Sequence, residues 1–267
     1  MSMQTLLPSQ TREIVSHDPS TGEEIGRTPL LDVDDVAAAV NRARAAQPAW
    51  AKLSYRERAR FILRAREIVL AQLEEIAKLI SRETGKPAAE AISMEIVPTL
   101  DLMHYFAKHT AQLLGRRRID IGQYNLMARS SYIVYKPLGV VGIISPWNFP
   151  WATPLDEVVM ALMAGNAVVV KPSELTPLTA LKIASVFKQA QLPDGLLEVI
   201  TGDGSTGAAL VEAGVNKIMF TGSVNTGKCV AEAAAKHLTP VVLELGGKDP
   251  MVVLEDANLE NAARAAI

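Results

Sequence analysis

The sequence contains very little cysteine and no long uninterrupted apolar run. Its single cysteine, Cys229, excludes a disulfide within the chain and is typical of a reducing compartment, so we expect a cytoplasmic protein. Prolines, Asn148 and two acidic residues interrupt the apolar stretches between Val140 and Val170, and none is long enough to span a membrane. The N-terminus lacks the basic and apolar regions of a secretory signal.

Net charge and metal-ligand patterns are also sparse. A formal net charge of −2 gives no reason to expect nucleic acid or an anionic membrane as a partner. The four histidines show no spacing typical of a metal site, so we expect no bound metal. The composition, 49% hydrophobic and 21% charged, is that of a globular protein with one large domain or two smaller ones.

The apolar pattern changes along the chain from a hairpin to helices and then to alternating strands and helices. The sequence predicts a hairpin over 14–29, a helix that begins near 32, and two further helices over about 55–83 and 88–114, the last with a kink near Pro98. Strands are predicted at Val140–Ser145, Ala167–Val170, Leu196–Ile200, Lys217–Phe220 and Val241–Leu245. Short helical connections between apolar strands predict an α/β fold with a parallel sheet covered by helices on both faces.

The most informative stretch is Val140–Pro150, a strand that breaks into a turn flanked by prolines. Ligands of open parallel sheets bind just outside the carboxyl ends of the strands. Asn148 follows such an end, and its side-chain N–H would stabilise negative charge that develops on a substrate oxygen. The simpler interpretation is that Asn148 only caps the following helix, and this stretch taken alone favours capping.

Two glycine-rich loops each lie between a predicted strand and a predicted helix. Residues 202–207, GDGSTG, match the dinucleotide pattern G-x-G-x-x-G, but the acidic residue expected about 20 residues later is missing. Residues 222–229, GSVNTGKC, nearly match the P-loop, although Cys229 replaces the hydroxyl residue that would bind Mg²⁺. The second loop still suits a diphosphate, because N–H groups at a helix start attract negative charge. An ordinary helix start explains either loop as well.

Charged residues also accompany two of the predicted strands. Lys171 and Glu174 follow the strand Ala167–Val170, where they would hold ribose hydroxyls and Glu174 would repel a 2′-phosphate. The alternative is a surface ion pair of little energetic value. Glu244 lies within the apolar strand Val241–Leu245, where burial would raise its pKa towards the range of a general base. The alternative is that its side chain points outward at the strand end.

Four motifs together resemble the aldehyde dehydrogenase superfamily. They are PWNFP at 146–150, KPSE at 171–174, FTGS at 220–223 and LELGGK at 243–248, and their order and spacing are similar to the family across essentially the whole chain. The resemblance implies a modified Rossmann-type NAD-binding domain over 1–118 and 138–246, with protruding oligomerisation strands at 119–137. Residues 247–267 would begin a catalytic domain that holds the nucleophilic cysteine beyond Ile267. We therefore expect a fragment of a longer chain that is inactive alone.

The resemblance also implies a reaction and a set of site residues. In the family, a cysteine thiolate attacks an aldehyde, and the oxyanion is held by the amide matching Asn148 and by a backbone N–H. Hydride passes to the nicotinamide, and the glutamate matching Glu244 activates the water that releases the acid. The implied cofactor-binding residues are Ile144, Ser145, Pro146, Trp147, Lys171, Ser173, Glu174, Gly204, Gly207, Phe220, Thr221, Gly222, Ser223, Thr226, Leu245 and Gly246.

The implied cofactor is NAD, preferred over NADP because of Glu174, and the implied partners are an aldehyde and further copies of the chain in a dimer or tetramer. Two other classes of function remain open, namely a stand-alone dinucleotide-binding module without chemistry and a P-loop nucleotide hydrolase. Cys229 argues against the hydrolase, and its position in the helix after the diphosphate turn argues against a role as the nucleophile.

Overall fold

The computed structural model describes residues 12–127 and 129–266, so the N-terminal residues 1–11, which carry most of the stretch considered for a secretory signal, lie outside the described residues. The N-terminal half contains β1 (Glu13–His17), β2 (Glu24–Pro29), α1 (Val33–Ala51), α2 (Tyr55–Ala71), α3 (Leu73–Thr84), α4 (Ala88–Glu90), a π-helical turn (Ala91–Ile96), α5 (Val97–Leu113), β3 (Arg117–Ile119), a 3₁₀ helix (Gly122–Met127) and β4 (Ser131–Ile133). The C-terminal half contains β5 (Val140–Ile144), α6 (Ala152–Met163), β6 (Ala167–Lys171), α7 (Pro177–Gln189), β7 (Leu197–Val199), α8 (Gly204–Glu212), β8 (Lys217–Gly222), α9 (Val224–Ala235), β9 (Val241–Leu245) and α10 (Leu259–Ala265).

Five parallel strands form the central sheet in the order β7-β6-β5-β8-β9. Each predicted strand is present within two residues of its predicted ends, so the α/β prediction is confirmed. Every residue of β5 and β6 is buried, and burial of consecutive residues requires cover on both faces of a sheet. Because the chain moves outward from β5 to β7 and then returns to β8, the strand order reverses between β5 and β8.

The helical region differs from its prediction at two points. The predicted helix over 55–83 is two helices, because Gln72 leaves the helical conformation and separates α2 from α3. Helix α2 packs mainly on α5 and also on α6 and α7, whereas α3 packs on α7 and on the π-helical turn. The helix predicted over 88–114 is α4, the π-helical turn Ala91–Ile96 and α5 in succession, and Pro98 lies in the first turn of α5. The kink at Pro98 stays a prediction.

Both two-stranded sheets are antiparallel hairpins. The pairing of β1 with β2 confirms the hairpin predicted over 14–29. The second hairpin pairs β3 with β4, so it begins two residues before the predicted range 119–137 and its strands are only three residues each. Its use in oligomerisation stays a prediction.

The segment after β9 packs little against the described chain. The helix α10 has no buried residue, and the apolar residues Met251, Val252, Val253 and Leu254 are all exposed. The domain boundary predicted at 247 stays a prediction. Across the described residues, no helix combines the length and the apolarity that a membrane span requires.

Candidate functional site

A cavity of about 460 Å³ opens at the carboxyl ends of β5, β6 and β8. This is the edge where the strand order reverses between β5 and β8, which is the usual ligand position in open α/β sheets. The structure brings all the predicted cofactor residues to this cavity except Leu245 and Gly246. These two lie just outside it, since Gly246 N–H donates to the carbonyl of Gly222 at 3.2 Å and the Leu245 side chain packs over Gly227.

The sequence analysis missed the helical walls of the cavity. Small or apolar side chains on consecutive turns of α8 and α9 face each other across it. These residues are Ala208, Val211, Cys229, Val230 and Ala233. After each glycine loop these residues recur every three or four positions, which marks one face of a helix. This spacing was the available sequence signal.

The two glycine loops differ in their capacity for an anion. At the start of α8, the Asp203 carboxylate already accepts the Ser205 N–H at 2.8 Å and the Ser205 hydroxyl at 2.6 Å, and these hydrogen bonds lower the pKa of Asp203. A carboxylate at this helix start repels a phosphate. At the start of α9 the cap is the neutral Ser223, whose Oγ accepts the Thr226 N–H at 3.1 Å. The α9 loop is therefore the better site for a diphosphate.

Individual glycines show where packing constrains each loop and where space is left. A Cβ at Gly202 would lie 1.9 Å from Thr206 Oγ1, so this glycine is required by packing within its own loop. A Cβ at Gly204 would meet no atom within 4 Å, which leaves that side of the cavity open for a ligand. At Gly222 a Cβ would lie 2.7 Å from Phe220 Cζ, so only glycine fits at the β8 end.

Two polar groups in the cavity lack sufficient partners within the described chain. The Ser145 hydroxyl is buried at the end of β5 and has no hydrogen-bond partner among the described residues. Lys171 is 5% exposed, and its Nζ lies 3.5 Å from Glu174 Oε2. Burial lowers the pKa of Lys171, and the Glu174 charge opposes that shift. A buried lysine is not part of a surface ion pair, and a bound ribose would satisfy its remaining N–H groups.

Asn148 lies in the exposed turn between β5 and α6. The interpretation of Asn148 as a helix cap is wrong, because Trp151 occupies the cap position of α6. The Trp151 side chain makes no cap hydrogen bond. Instead, Glu95 Oε2 accepts the N–H groups of Trp151 and Ala152 at 2.9 and 3.2 Å. No hydrogen bond to the Asn148 side-chain amide is found within the described part of the chain, so this amide is available to a substrate.

Glu244 is exposed, which corrects the expectation that it is buried in its strand. The reason is that β9 is an edge strand, which among the described residues pairs only with β8, so one side of Glu244 is open. Glu244 of β9 pairs in register with Thr221 of β8. The preceding residue of β8, Phe220, pairs with Ile144 at the end of β5. With neighbouring strands about 4.8 Å apart, its backbone lies about 10 Å from the end of β5. Asn148 and Glu244 thus lie near strand ends on the same edge of the sheet.

Two acidic residues of α6 were not recognised as part of this region. Glu157 is 6% exposed and interacts with the Thr221 side chain and with the Glu244 charge. Burial raises its pKa to about 8, and the neighbouring charge of Asp156 contributes. Burial also raises the pKa of Asp156 to about 6. Glu157 Oε2 and Asp156 Oδ1 have no hydrogen-bond partner among the described residues. Two adjacent acids within an apolar helix were the available sequence signal.

Two other possible sites receive no support from the geometry. Lys228, which would reach the phosphates in a P-loop, is exposed and is not among the residues that line the cavity. Within the ranges described, no three side chains of the His, Cys, Asp and Glu types come together where they could hold a metal ion.

Comparison with known proteins gives consistent matches. The model of the aldehyde dehydrogenase family matches residues 6–267. A 4,4'-diapolycopene aldehyde oxidase from Methylomonas sp. is 37% identical over 254 residues, which are 95% of this chain and 48% of that protein. The chain thus spans about half the length of the curated relative it matches.

Solved structures show the same relation. An aldehyde dehydrogenase from Bacillus cereus, solved as an NAD⁺ complex, is 35% identical with a TM-score of 0.89, and the match covers 96% of this chain and 52% of that one. An NADP-dependent enzyme from E. coli is 33% identical with a TM-score of 0.88 and the same coverage. On the matching family model, the shared fold and the four motifs in order, the chain belongs to the aldehyde dehydrogenase family.

Proposed function

We propose that this chain supplies the NAD site, the oxyanion-binding Asn148 and the general base Glu244 of an enzyme that oxidises an aldehyde to a carboxylic acid. The observation that carries the proposal is the cavity at the reversal of the strand order, which joins the predicted cofactor residues and continues into the Asn148 turn through Trp147. Relatives with this fold include one solved as an NAD⁺ complex.

Different residues of the cavity suit different parts of the cofactor. The neutral start of α9, with Gly222 and Ser223, suits the diphosphate, and the facing walls of α8 and α9 suit the adenine. Lys171 and Glu174 suit the adenosine ribose, and the Glu174 carboxylate favours NAD over NADP. When bound, the nicotinamide supplies the hydride acceptor of the reaction.

The chemistry of the acyl group requires a thiolate, and we propose that it comes from a part of the whole protein outside these 267 residues, since the chain spans about half of the relative it matches. Asn148 then donates its amide N–H to the oxyanion, and Glu244 takes a proton from the hydrolytic water. Cys229 lies on α9 in the cavity wall, where we assign it no part in the chemistry. We further propose a cytoplasmic dimer or tetramer that uses the β3–β4 hairpin and its neighbours in 119–137.

The reaction itself is tested with the whole protein and with the 267-residue chain in parallel. The whole protein is expected to form NADH when an aldehyde is added, whereas the chain alone is expected to bind NAD and form none. NADH formation is measured by absorbance in both samples, and NAD binding to the chain alone is measured by calorimetry. A whole protein that binds NAD but oxidises no aldehyde would favour the alternative of a binding module. Magnesium-dependent ATP hydrolysis would favour the P-loop alternative.

The preference for NAD is tested at Glu174, whose side chain is half exposed at the cavity mouth. Glu174→Ser is expected to tighten NADP binding about tenfold, because a repulsion worth about 1.4 kcal/mol is removed. NAD binding should weaken by a smaller factor. Titration that follows the fluorescence of the tryptophans, of which Trp147 lies in the cavity wall, measures both.

The matched control for Glu174 is Glu212→Gln. Glu212 is an exposed glutamate that pairs with His237 and does not line the cavity, so both affinities should stay the same. Equal NAD and NADP affinities in the unmodified chain would contradict the assignment of Glu174.

A further inference from the structure

A buried ion pair holds the turn that carries Asn148. Glu95 lies in the π-helical turn Ala91–Ile96, and its side chain is fully buried. Its Oε1 accepts the Lys86 ammonium at 2.5 Å, and the Lys86 side chain is 15% exposed. A buried charge is tolerated only when it is paired and its hydrogen bonds are satisfied. Lys86 and Glu95 each provide the opposite charge and a hydrogen bond for the other.

Both members of the pair also contact the 148–152 turn. Lys86 Nζ donates to the Asn148 carbonyl at 2.8 Å and lies 4.3 Å from the centre of the Phe149 ring. The second oxygen of Glu95 accepts the first two free N–H groups of α6, as described above. The pair therefore fixes the turn on both sides of Pro150, at Asn148 before it and at the α6 start after it.

We propose that Lys86 and Glu95 are positioning residues that set the direction of the Asn148 amide, an inference that rests on the function proposed for Asn148. The Asn148 side chain is exposed and has no hydrogen-bond partner among the described residues, so only its backbone fixes it. A fixed carbonyl fixes the plane of the following peptide, and a misplacement of about 1 Å at a reacting centre costs up to about 100-fold in rate.

The π-helical turn gives a second reason to assign a role to Glu95. Such turns are rare, and they occur frequently at functional sites. Here the turn brings Glu95 to a helix start whose cap residue, Trp151, has no side-chain oxygen to offer. Trp151 is held further by its ring N–H, which donates to the Thr99 hydroxyl at 3.2 Å.

A second buried glutamate provides the matched control. Glu83 accepts the backbone N–H groups of Leu178 and Thr179 at the start of α7, together with the Thr179 and Ser16 hydroxyls. It caps a helix as Glu95 does, but none of its hydrogen bonds within the described residues reaches the Asn148 turn. Replacing the capping carboxylate by an amide should therefore change only stability in Glu83→Gln, and both stability and the oxyanion step in Glu95→Gln.

The test compares Lys86→Met and Glu95→Gln in the whole protein, each alone and combined with Asn148→Ala. Each single variant is expected to lower kcat about tenfold, with changes below about twofold in the KM for aldehyde and in the Kd for NAD. In the Asn148→Ala background the same substitutions should change kcat less than about twofold, because residues that act through one group are not additive. Glu83→Gln should leave kcat unchanged.

Two results would overturn the inference. Additional losses of equal size in the Asn148→Ala background, or unchanged kcat in both single variants, would show that the pair does not act through Asn148. An unchanged kcat in Asn148→Ala itself would instead overturn the proposed function of that residue. Glu95→Gln keeps an oxygen that accepts the N–H groups of α6, so the test stands if Lys86→Met fails to fold.

Discussion

Asn148→Ala is expected to lower kcat/KM for aldehyde oxidation by the whole protein about 10² to 10³-fold, which is the usual cost of removing one oxyanion donor. The reason is that this amide is exposed at the carboxyl edge of the sheet and has no other hydrogen-bond partner among the described residues. Asn148→Asp should lose at least as much, since it keeps the size of the side chain and places a negative charge beside the oxyanion. Steady-state NADH formation measures both.

The control for this prediction is Asn41→Ala. Asn41 lies on the exposed side of α1, where its Oδ1 accepts an Arg44 N–H at 2.8 Å, so its loss should change kcat/KM less than about twofold. A loss below about threefold in Asn148→Ala would contradict the role of this residue as an oxyanion donor.

Glu157→Gln is expected to stabilise the chain at high pH and to change it little at low pH. The pKa of Glu157 is raised from 4.5 to about 8 in the folded state, so the folded state holds an additional proton between these values. Stability from this group is therefore complete below about pH 4.5 and is lost as the pH rises to about 8. At about 1.4 kcal/mol per pKa unit, the loss amounts to as much as about 4 to 5 kcal/mol.

Glutamine imitates the protonated carboxyl group, so the variant should escape this loss. Urea unfolding at pH 5, 7 and 9 should show a difference between the variant and the unmodified chain that appears at pH 9 and nearly vanishes at pH 5. Glu67→Gln, at an exposed glutamate paired with Arg66, should show no such pH dependence. A free energy of unfolding that falls equally from pH 5 to pH 9 in both chains would contradict the raised pKa.

The protonated state of Glu157 also bears on the proposed general base. Thr221 of β8 pairs in register with Glu244 of β9, and Glu157 of α6 interacts with both Thr221 and the Glu244 charge. A neutral Glu157 at pH 7 adds no second negative charge beside Glu244, the residue proposed to accept a proton from water.

The sequence predicted the sheet well because its signals are local. Apolar runs such as Val140–Ile144 and Ala167–Lys171 end in turns that contain proline, glycine or asparagine, and the runs are short enough to be strands. The break at Gln72 was not predictable in this way, since neither glycine nor proline marks it. Packing differs on its two sides, because α2 packs mainly on α5, α3 packs on the π-helical turn, and both pack on α7.

The site was predicted less completely, because its energetics depend on contacts between distant residues. The sequence shows Glu244 within an apolar strand but cannot show that β9 is an edge strand, which is why the prediction of burial was wrong. Lys86 and Asn148 are 62 residues apart, and no periodicity connects them. The ribose and diphosphate assignments stay predictions that the shape of the cavity supports.

The cap that Asp203 provides at the start of α8 has a practical consequence for coenzyme engineering. A motif search would direct randomisation to residues 202–207, where substitutions at Asp203 would mainly remove a helix cap. Libraries intended to alter the coenzyme would be better spent on positions 222–226 and on Glu174, where the cavity meets a neutral helix start. For this protein, the loop that best fits the consensus is the less useful target for redesign.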